Sequence, residues 1–155
     1  MLQFKRLDFS NALTVLNYFR LSNYDICDKS IGALLIWNTY YNAEFAIYND
    51  ALYLKYNLYN KKTVFTLPIS KYGDIDLAPI KDYAKQNSLN TITFGSISEF
   101  DIDFITKKFP KSVITTNDKW ADYVYNSTDL ASLSGKKYHG QKNFVNRFNK
   151  LYVRL

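Results

Sequence analysis

The chain has 155 residues, 47% of them hydrophobic and 17% aromatic, which is enough for a substantial, ring-rich core in one domain. Its 20 Lys and Arg exceed its 14 Asp and Glu, giving a formal charge of +6. Its one cysteine, Cys27, excludes an internal disulfide and is expected to be a small buried side chain in a reducing compartment. No apolar run approaches the roughly 20 residues of a membrane span, and the first residues lack a signal-peptide pattern, so we expect a cytoplasmic protein with no transmembrane segment.

Two helices are predicted in the first part of the chain. Asp8-Phe9-Ser10 has the residue types of a helix start, and apolar residues then recur at helical spacing toward Leu21. Residues 22–25 are predicted to form a turn. A second helix covers Lys29 to Tyr40, and Gly32 is its one poor helix former.

Three strands are predicted next. Glu44 to Tyr48 and Leu52 to Tyr56 flank Asn49-Asp50, which has the residue types of a two-residue hairpin turn. Thr63 to Leu67 follows and ends at Pro68. Successive strands with short connections predict an antiparallel meander.

Helices and strands alternate further along. Helices are predicted for Asp76 to Gln86 and Ser98 to Phe109, and short strands for Thr91 to Phe94, Ser112 to Thr115 and Asp122 to Tyr125. No linker and no internal repeat is visible, so the sequence predicts a single layered domain over residues 1–155. Its expected class is α+β, a three-layer α/β/α arrangement around a twisted mixed sheet that is largely antiparallel.

Two helices are predicted at the C-terminal end. Ser127-Thr128-Asp129 caps a helix of one or two turns that ends at Gly135, and a last helix covers Lys136 to Tyr152. The glycine leaves the start of the last helix with free backbone amides, which favours an anion there.

The net charge is concentrated in this last segment. Residues 130–155 contain six Lys or Arg and no Asp or Glu, which leaves 14 residues of each sign in the rest of the chain. On a helical wheel one face of the last helix is apolar: Tyr138, Phe144, Val145, Phe148, Leu151 and Tyr152. The opposite face is polar: Lys136, His139, Asn143, Arg147 and Lys150, with Lys142 and Asn146 at its margin. Lys137 and Gln141 fall within the apolar face, which the pattern does not explain.

The polar face has two interpretations. A strip of donors without an acidic side chain suits phosphates or a carboxylate, and the candidate binding residues are Lys136, Lys137, His139, Lys142, Asn143 and Arg147. The other interpretation is a solvated surface helix, although exposed helices usually mix charges of both signs. His139 has no acidic orienting residue in its own segment and is more typical of a structural or surface histidine than of a catalyst. No catalytic residue is predicted.

Other residue combinations give only weak indications of a catalytic, base-stacking or metal site. The pairs Asp74/Asp76 and Asp101/Asp103 stand at helix starts and are more typical of caps and dipole partners than of an acid–base couple. Trp120 either covers an edge of the core, the favoured interpretation, or stacks on a base. A single His and a single Cys make a zinc site a poor expectation, so no metal is predicted.

The C-terminal segments resemble a known protein family. The residues that carry the resemblance are Ala121 to Asn126, Asp129-Leu130, Leu133 to His139, Lys142-Asn143, Asn146 and Phe148. They are similar to the phosphatidylglycerol lysyltransferase C-terminal domain family. Weaker similarity comes from Asp25 ahead of a helix carrying residues 35–38, and from Pro68 followed by Gly73-Asp74.

The resemblance implies a protein built from two tandem acetyltransferase-like (GNAT) halves, of which this chain is the first. Membrane-attached members transfer an aminoacyl group from charged tRNA to a lipid headgroup, so the implied partners are an aminoacyl-tRNA or another phosphate-bearing acyl donor, and the second GNAT-like half. Lys136, Lys137 and Lys142 correspond to the basic positions of the family motif. Gln141-Lys142 stands where relatives often have Lys-Arg, and Phe144 stands where His or another residue is common.

Two functions remain open from the sequence. The first is a GNAT-like half of an aminoacyl- or acyltransferase that is inactive in isolation. The second is a non-enzymatic module that docks RNA or an acidic partner through the same strip. Acetyl-CoA is not expected to bind, because no two of the five glycines are spaced as in a GNAT pyrophosphate loop, and no cofactor is predicted. The apolar face of the last helix predicts a homo-oligomer.

Overall fold

The computed structural model describes residues 1–22, 26–58, 61–118 and 121–152. The chain divides into two compact units, Met1–Thr115 and Thr116–Leu155, called here the N-terminal and C-terminal units. The assignment of all 155 residues to a single GNAT-like domain stays a prediction.

The N-terminal unit combines one sheet with several short helices. The strands that it contains among the described residues are β1 (Lys5–Arg6), β2 (Glu44–Tyr48), β3 (Ala51–Asn57), β4 (Thr63–Phe65) and β5 (Ile69–Ser70). Its α-helices within the same ranges are α1 (Ala12–Phe19), α2 (Ile31–Ile36), α3 (Asn38–Tyr41), α4 (Ala78–Gln86) and α5 (Ile102–Lys108). The unit is therefore α+β, as the sequence predicts.

The predicted antiparallel meander is confirmed. β1 to β4 are hydrogen-bonded in chain order and β5 pairs with β3, every pair being antiparallel. Asn49 and Asp50 connect β2 to β3 with φ angles of 48° and 54°. Positive φ at both central residues is the requirement of the type I′ hairpin turn, which Asn and Asp tolerate better than most residues.

The sheet buries apolar side chains on both faces because successive residues of a strand point to opposite sides. One face carries Phe45, Leu52 and Leu54 and packs against α1 and α2. The other face carries Ala46, Tyr53 and Phe65 and packs against α4 and α5. Helices thus cover both faces of the sheet within the N-terminal unit.

The region predicted as a strand from Thr91 to Phe94 makes only a single bridge. Phe94 pairs with Phe65 in parallel orientation. The Phe65 amide donates to the Thr93 carbonyl and the Gly95 amide donates to the Phe65 carbonyl, both at 2.9 Å. One parallel contact therefore extends an otherwise antiparallel sheet along β4.

Two predicted strands are wrong. Residues 112–115 and 122–125 form no strand, and Val113, Tyr123 and Val124 are 88 to 90% exposed. β-branched and aromatic residues favour strands only where a partner strand and a buried face are available. These two segments have the residue types of a strand but have neither a partner strand nor a buried face.

The helix predictions hold in outline and differ at the ends. The helix predicted over Lys29 to Tyr40 is two short helices, α2 and α3, separated at Trp37. The predicted turn at residues 22–25 lies mostly outside the described residues. Ser98 caps the turn ahead of α5 as predicted, since its hydroxyl accepts from the Phe100 amide at 3.3 Å.

Of the acidic residues predicted to cap helix starts, Asp76 does so, whereas Asp101 precedes α5 without a side-chain capping bond. Asp76 accepts a hydrogen bond from the Ala78 amide, at 2.9 Å, at the start of α4. Cys27 is exposed, so the prediction of a buried side chain is wrong. It lies in a short 3₁₀ turn, Cys27–Lys29, where no helix or strand places it against the core. Among the helices of the described residues, none combines the length and apolar character that crossing a membrane requires.

Candidate functional site

The C-terminal unit carries the predicted binding residues on one helix and the turn before it. α6 (Ser127–Ser132) is followed by a 3₁₀ turn, Lys136–Tyr138, and by α7 (His139–Tyr152). The cap of α6 is Asn126 rather than the predicted Ser127-Thr128-Asp129, since the Asn126 side chain accepts from the Thr128 amide at 3.0 Å. The 3₁₀ turn follows Gly135, whose φ of 89° lets the chain change direction where L side chains are disfavoured.

All six predicted binding residues are exposed. Lys136 and Lys137 lie in the 3₁₀ turn, while His139, Lys142, Asn143 and Arg147 lie on α7. At about 100° per residue, one side of α7 presents only polar donors, called here the donor face: His139, Lys142, Asn143, Asn146, Arg147 and Lys150. The wheel does not extend to Lys136, because the 3₁₀ turn has a different rotation per residue.

The opposite side of α7 is apolar and also exposed. The fractional exposures of Phe144, Phe148 and Leu151 are 74%, 58% and 60%. The Phe148 and Tyr152 rings contact each other with centroids 5.0 Å apart. α7 is therefore a strongly amphipathic helix with both faces open to solvent.

Lys137 has an acidic partner that the sequence analysis missed. Its Nζ lies 3.1 Å from Oδ2 of Asp129 and 4.6 Å from the centre of the Tyr138 ring. The Tyr138 hydroxyl donates to the same Asp129 oxygen at 3.4 Å. The contact with the Tyr138 hydroxyl, followed by the hydrogen bond and charge of Asp129, raises the pKa of Lys137.

The acidic partner of Lys137 comes from outside the basic segment. Asp129 stands one position ahead of the acid-free segment 130–155, so a count confined to that segment omits it. Leu133, at φ 47°, and Gly135 bend the chain between α6 and the 3₁₀ turn. Lys137 also precedes α7, which explains why a continuous helical wheel places it within the apolar face.

The donor face presents cationic and amide groups, which are donor types that suit anions. Among the described residues, no group of three or more His, Cys, Asp or Glu is placed to hold a metal ion. Residues 119–120 lie outside the described ranges, so the prediction for Trp120 stays a prediction. The roles of the six binding residues likewise remain predictions.

The N-terminal unit contains two features that the sequence analysis did not predict. A cavity of about 460 Å³ is lined by residues at the end of α3 and around the loop after β3: Tyr40, Tyr41, Asn42, Asn57, Leu58 and Lys61. Ser96 donates a hydrogen bond to Asp28, and the Tyr56 hydroxyl lies 3.5 Å from the same Ser96 oxygen. In the sequence, the run Tyr40-Tyr41-Asn42 at the end of a predicted helix is the feature that could have indicated this cavity.

Comparison with known proteins identifies relatives of the chain. The family described as "Phosphatidylglycerol lysyltransferase, C-terminal" matches residues 19–154. The fold is similar to the crystal structure of a conserved protein of unknown function from Bacteroides thetaiotaomicron, with a TM-score of 0.72 and 26% sequence identity. That similarity covers 99% of this chain and 52% of the other, so the chain spans about half the length of that protein. No curated protein matches the chain.

Proposed function

The chain belongs to the phosphatidylglycerol lysyltransferase C-terminal family, and on that premise we propose that it is one GNAT-like half of an aminoacyl- or acyltransferase. In this proposal the chain presents α7 to phosphate groups of a charged tRNA or of another phosphate-bearing acyl donor. The second GNAT-like half completes the substrate site and is the protein partner.

The observation that carries the proposal is the donor face of α7. Its six residues project from one side of a 14-residue helix, all exposed and with no acidic residue on α7. Cationic and amide donors at successive helical turns can contact phosphates spaced along a nucleic acid backbone. Lys136 and Lys137 add two cations immediately before the helix, with the ammonium group of Lys137 also held by Asp129.

The order of elements in the N-terminal unit supports the GNAT-like part of the proposal. β1, the helices α1 to α3 and the four antiparallel strands β2 to β5 precede α4, the Phe94 bridge and α5. A meander followed by a helix and a parallel contact along β4 is the order that a GNAT domain has. The coverage of about half of the Bacteroides chain supports a relationship to one half of a two-half protein.

Charge reversal on α7 tests the proposal directly. We expect Lys136→Glu combined with Arg147→Glu to abolish binding of uncharged tRNA, measured by fluorescence anisotropy across a salt titration. In the parent, log K should fall steeply with log salt, and removing each phosphate contact should lower the slope by about one. The fold should be unaffected, because exposed substitutions away from caps and cores usually change stability by at most about 0.5 kcal/mol.

A control variant with the same change in net charge distinguishes an effect specific to α7 from an effect of overall charge. Lys85→Glu combined with Lys111→Glu removes the same charge from exposed positions in the N-terminal unit. If the two double variants bind tRNA equally, the donor face has no specific role and the proposal is wrong. If only the α7 variant loses binding, the phosphate contact lies on this helix.

The second candidate function is a binding module without catalysis, which the exposure of the donor face also favours. The two functions differ when a second GNAT-like half is supplied as a separate polypeptide, with aminoacyl-tRNA as the donor and phosphatidylglycerol, named in the description of the family, as the acceptor. A transferase half should give aminoacyl transfer only in the mixture, and the Lys136→Glu/Arg147→Glu substitutions should abolish it. Binding of tRNA without transfer in any mixture would favour the module.

A further inference from the structure

An exposed aromatic cluster lies around α3 in the N-terminal unit. Trp37, Tyr40 and Tyr41 are 54%, 68% and 39% exposed, although large aromatic side chains contribute most when buried. Their ring centroids lie 6.2 to 6.4 Å apart, and their planes are inclined by 55° to 73°. Because each side chain remains at least 39% exposed, ring surface is available to a flat ligand.

Two of these rings line the cavity introduced above. Its volume of about 460 Å³ is within the range of roughly 300 to 1,000 Å³ that small-molecule sites occupy. The residues that line it include the aromatic Tyr40 and Tyr41, the amide-bearing Asn42 and Asn57, and the cationic Lys61. This lining suits a ligand that is flat, has hydrogen-bonding edges and carries negative charge.

The cavity wall is held by backbone and side-chain contacts. Asn42 ends α3 in the left-handed conformation with φ of 45°, and its amide donates to the Asn38 carbonyl at 2.9 Å. Lys61 also has a left-handed φ, 61°, and its amide donates to the Leu58 carbonyl at 2.8 Å. The Asn57 side-chain oxygen accepts from the Thr63 hydroxyl at 3.3 Å, which orients that amide.

Tyr56 supports Tyr41 from the sheet. Their ring centroids lie 6.1 Å apart in an edge-on arrangement, and the Tyr56 hydroxyl approaches Ser96, which donates to Asp28. Burial raises the pKa of Tyr56, so this hydroxyl stays protonated at neutral pH. Tyr41 is thus positioned by a side chain that is itself tied to β3 and to the loop after Phe94.

We propose that this cavity binds a nucleotide, with the base against Tyr40 and Tyr41 and the phosphate beside Lys61. Aromatic rings stack on any base, side-chain amides pair with base edges, and a lysine attracts a phosphate. The site is separate in sequence from α7 and does not depend on the function proposed for that helix. The nucleotide belongs either to a free mononucleotide or to an unpaired strand of RNA.

The test uses the full chain with Trp120→Phe, so that Trp37 is the remaining tryptophan and reports on the aromatic cluster. Adenosine monophosphate, a six-residue oligoadenylate and ribose 5-phosphate are titrated separately, and binding is measured by calorimetry and by Trp37 emission. We expect saturable quenching by the first two probes. The oligoadenylate and the mononucleotide are compared in the Lys136→Glu/Arg147→Glu background, so that α7 does not contribute phosphate contacts. In that background, tighter binding of the oligoadenylate identifies an RNA strand, and tighter binding of the mononucleotide identifies a free nucleotide.

Variants with matched controls assign the contacts. Tyr40→Leu should weaken binding about tenfold, as loss of one base–aromatic stack does, while Tyr72→Leu should not, although both tyrosines are exposed. Lys61→Gln should weaken binding of the mononucleotide but not of adenosine, and Lys85→Gln should weaken neither. Circular dichroism of each variant confirms folding.

Three results would overturn the proposal. These are no binding of either nucleotide at millimolar concentration, equal binding of ribose 5-phosphate and adenosine monophosphate, or equal effects of Tyr40→Leu and Tyr72→Leu. The Lys136→Glu/Arg147→Glu variant should bind the mononucleotide as the parent does. Failure at the cavity and failure at α7 are therefore distinguishable.

Discussion

Asp129 Oδ2 and Lys137 Nζ lie 3.1 Å apart and join the first turn of α6 to the turn that precedes α7. The pair joins residues eight positions apart, around the bend at Leu133 and Gly135. The pair neutralises the charge of Lys137. The donor face of α7 has no acidic residue on its own helix. An aspartate outside the basic segment therefore neutralises part of the charge of that segment.

We expect Asp129→Asn to strengthen polyanion binding. The substitution releases the Lys137 ammonium, which can then add about one phosphate contact and one unit of salt slope. Stability should change little, because both side chains are largely exposed and such pairs contribute weakly. Anisotropy with uncharged tRNA at several salt concentrations measures the effect.

The matched control is Asp82→Asn, which changes the net charge by the same amount at an exposed position on α4. If Asp82→Asn raises the affinity as much as Asp129→Asn does, only overall charge matters. A larger salt slope in Asp129→Asn alone would assign the effect to Lys137.

A second prediction concerns Asn38, a buried polar residue at the start of α3. Its amide nitrogen donates to the Leu7 carbonyl, and its oxygen accepts from the Ala43 amide at 2.6 Å. Asn38→Ala leaves both backbone groups without these bonds, and each unsatisfied buried group costs about 1 to 3 kcal/mol. We expect a loss of roughly 2 to 4 kcal/mol in the free energy of unfolding, measured with urea.

Asn90→Ala is the control, because Asn90 is exposed and its replacement should change stability by at most about 0.5 kcal/mol. Equal destabilisation by the two substitutions would show that Asn38 does not link the end of β1 to the start of β2.

The sequence predicted the meander because its signals are local. The Asn49-Asp50 turn and the alternation around it specify the hairpin without reference to distant residues. The strands expected at residues 112–115 and 122–125 failed because strand formation needs a pairing partner, which composition does not reveal. The burial of Ile80 and Ala84 on α4 was predictable from their spacing alone.

The candidate site was predicted less completely than the sheet. The donor face of α7 follows from periodicity, so most of its members were identified. The Asp129–Lys137 pair depends on left-handed backbone at Leu133 and Gly135, which no periodic pattern contains. The cavity unites α3 with the loop after β3, and contacts between segments so far apart in sequence are not visible in a single chain.

A third prediction concerns pH and Lys29, a half-buried amine. Burial lowers the pKa of Lys29 from 10.5 to about 8, against the opposing attraction of Asp101. Below pH 8 the amine is charged in both the folded and the unfolded chain. The full free-energy cost of burying the charge then lowers the stability of the folded chain. Between pH 8 and 10.5 the unfolded chain keeps a proton that the folded chain has lost, so this group makes stability rise with pH.

Lys29→Met should therefore be more stable than the parent near neutral pH, and the difference should shrink by about pH 9.5. The gain is expected to stay below about 1 kcal/mol, because water screens a side chain that is only half-buried. Measurements should stop short of pH 10, since burial raises the pKa of Tyr53 from 10.0 to about 12 and makes stability fall as the pH rises between these two values. A gain that does not vary with pH, or one equally present in Lys85→Met, would contradict the role given to Lys29.

The last prediction concerns association through the apolar face of α7. Phe144, Phe148, Leu151 and Tyr152 lie on one side of the helix and are 58 to 74% exposed, so pairing two such helices removes apolar surface from water. We expect a concentration-dependent dimer in light scattering. Association should strengthen rather than weaken in sulfate, because kosmotropic salts favour apolar burial and screen charge contacts.

Phe148→Gln combined with Leu151→Gln should give a monomer without unfolding α7, since glutamine is a good helix former. Phe9→Gln is the control, because Phe9 is 86% exposed but lies in the N-terminal unit. A parent chain that stays monomeric at high concentration would refute the dimer. A dimer that survives Phe148→Gln/Leu151→Gln and dissociates in Phe9→Gln would place the contact outside α7.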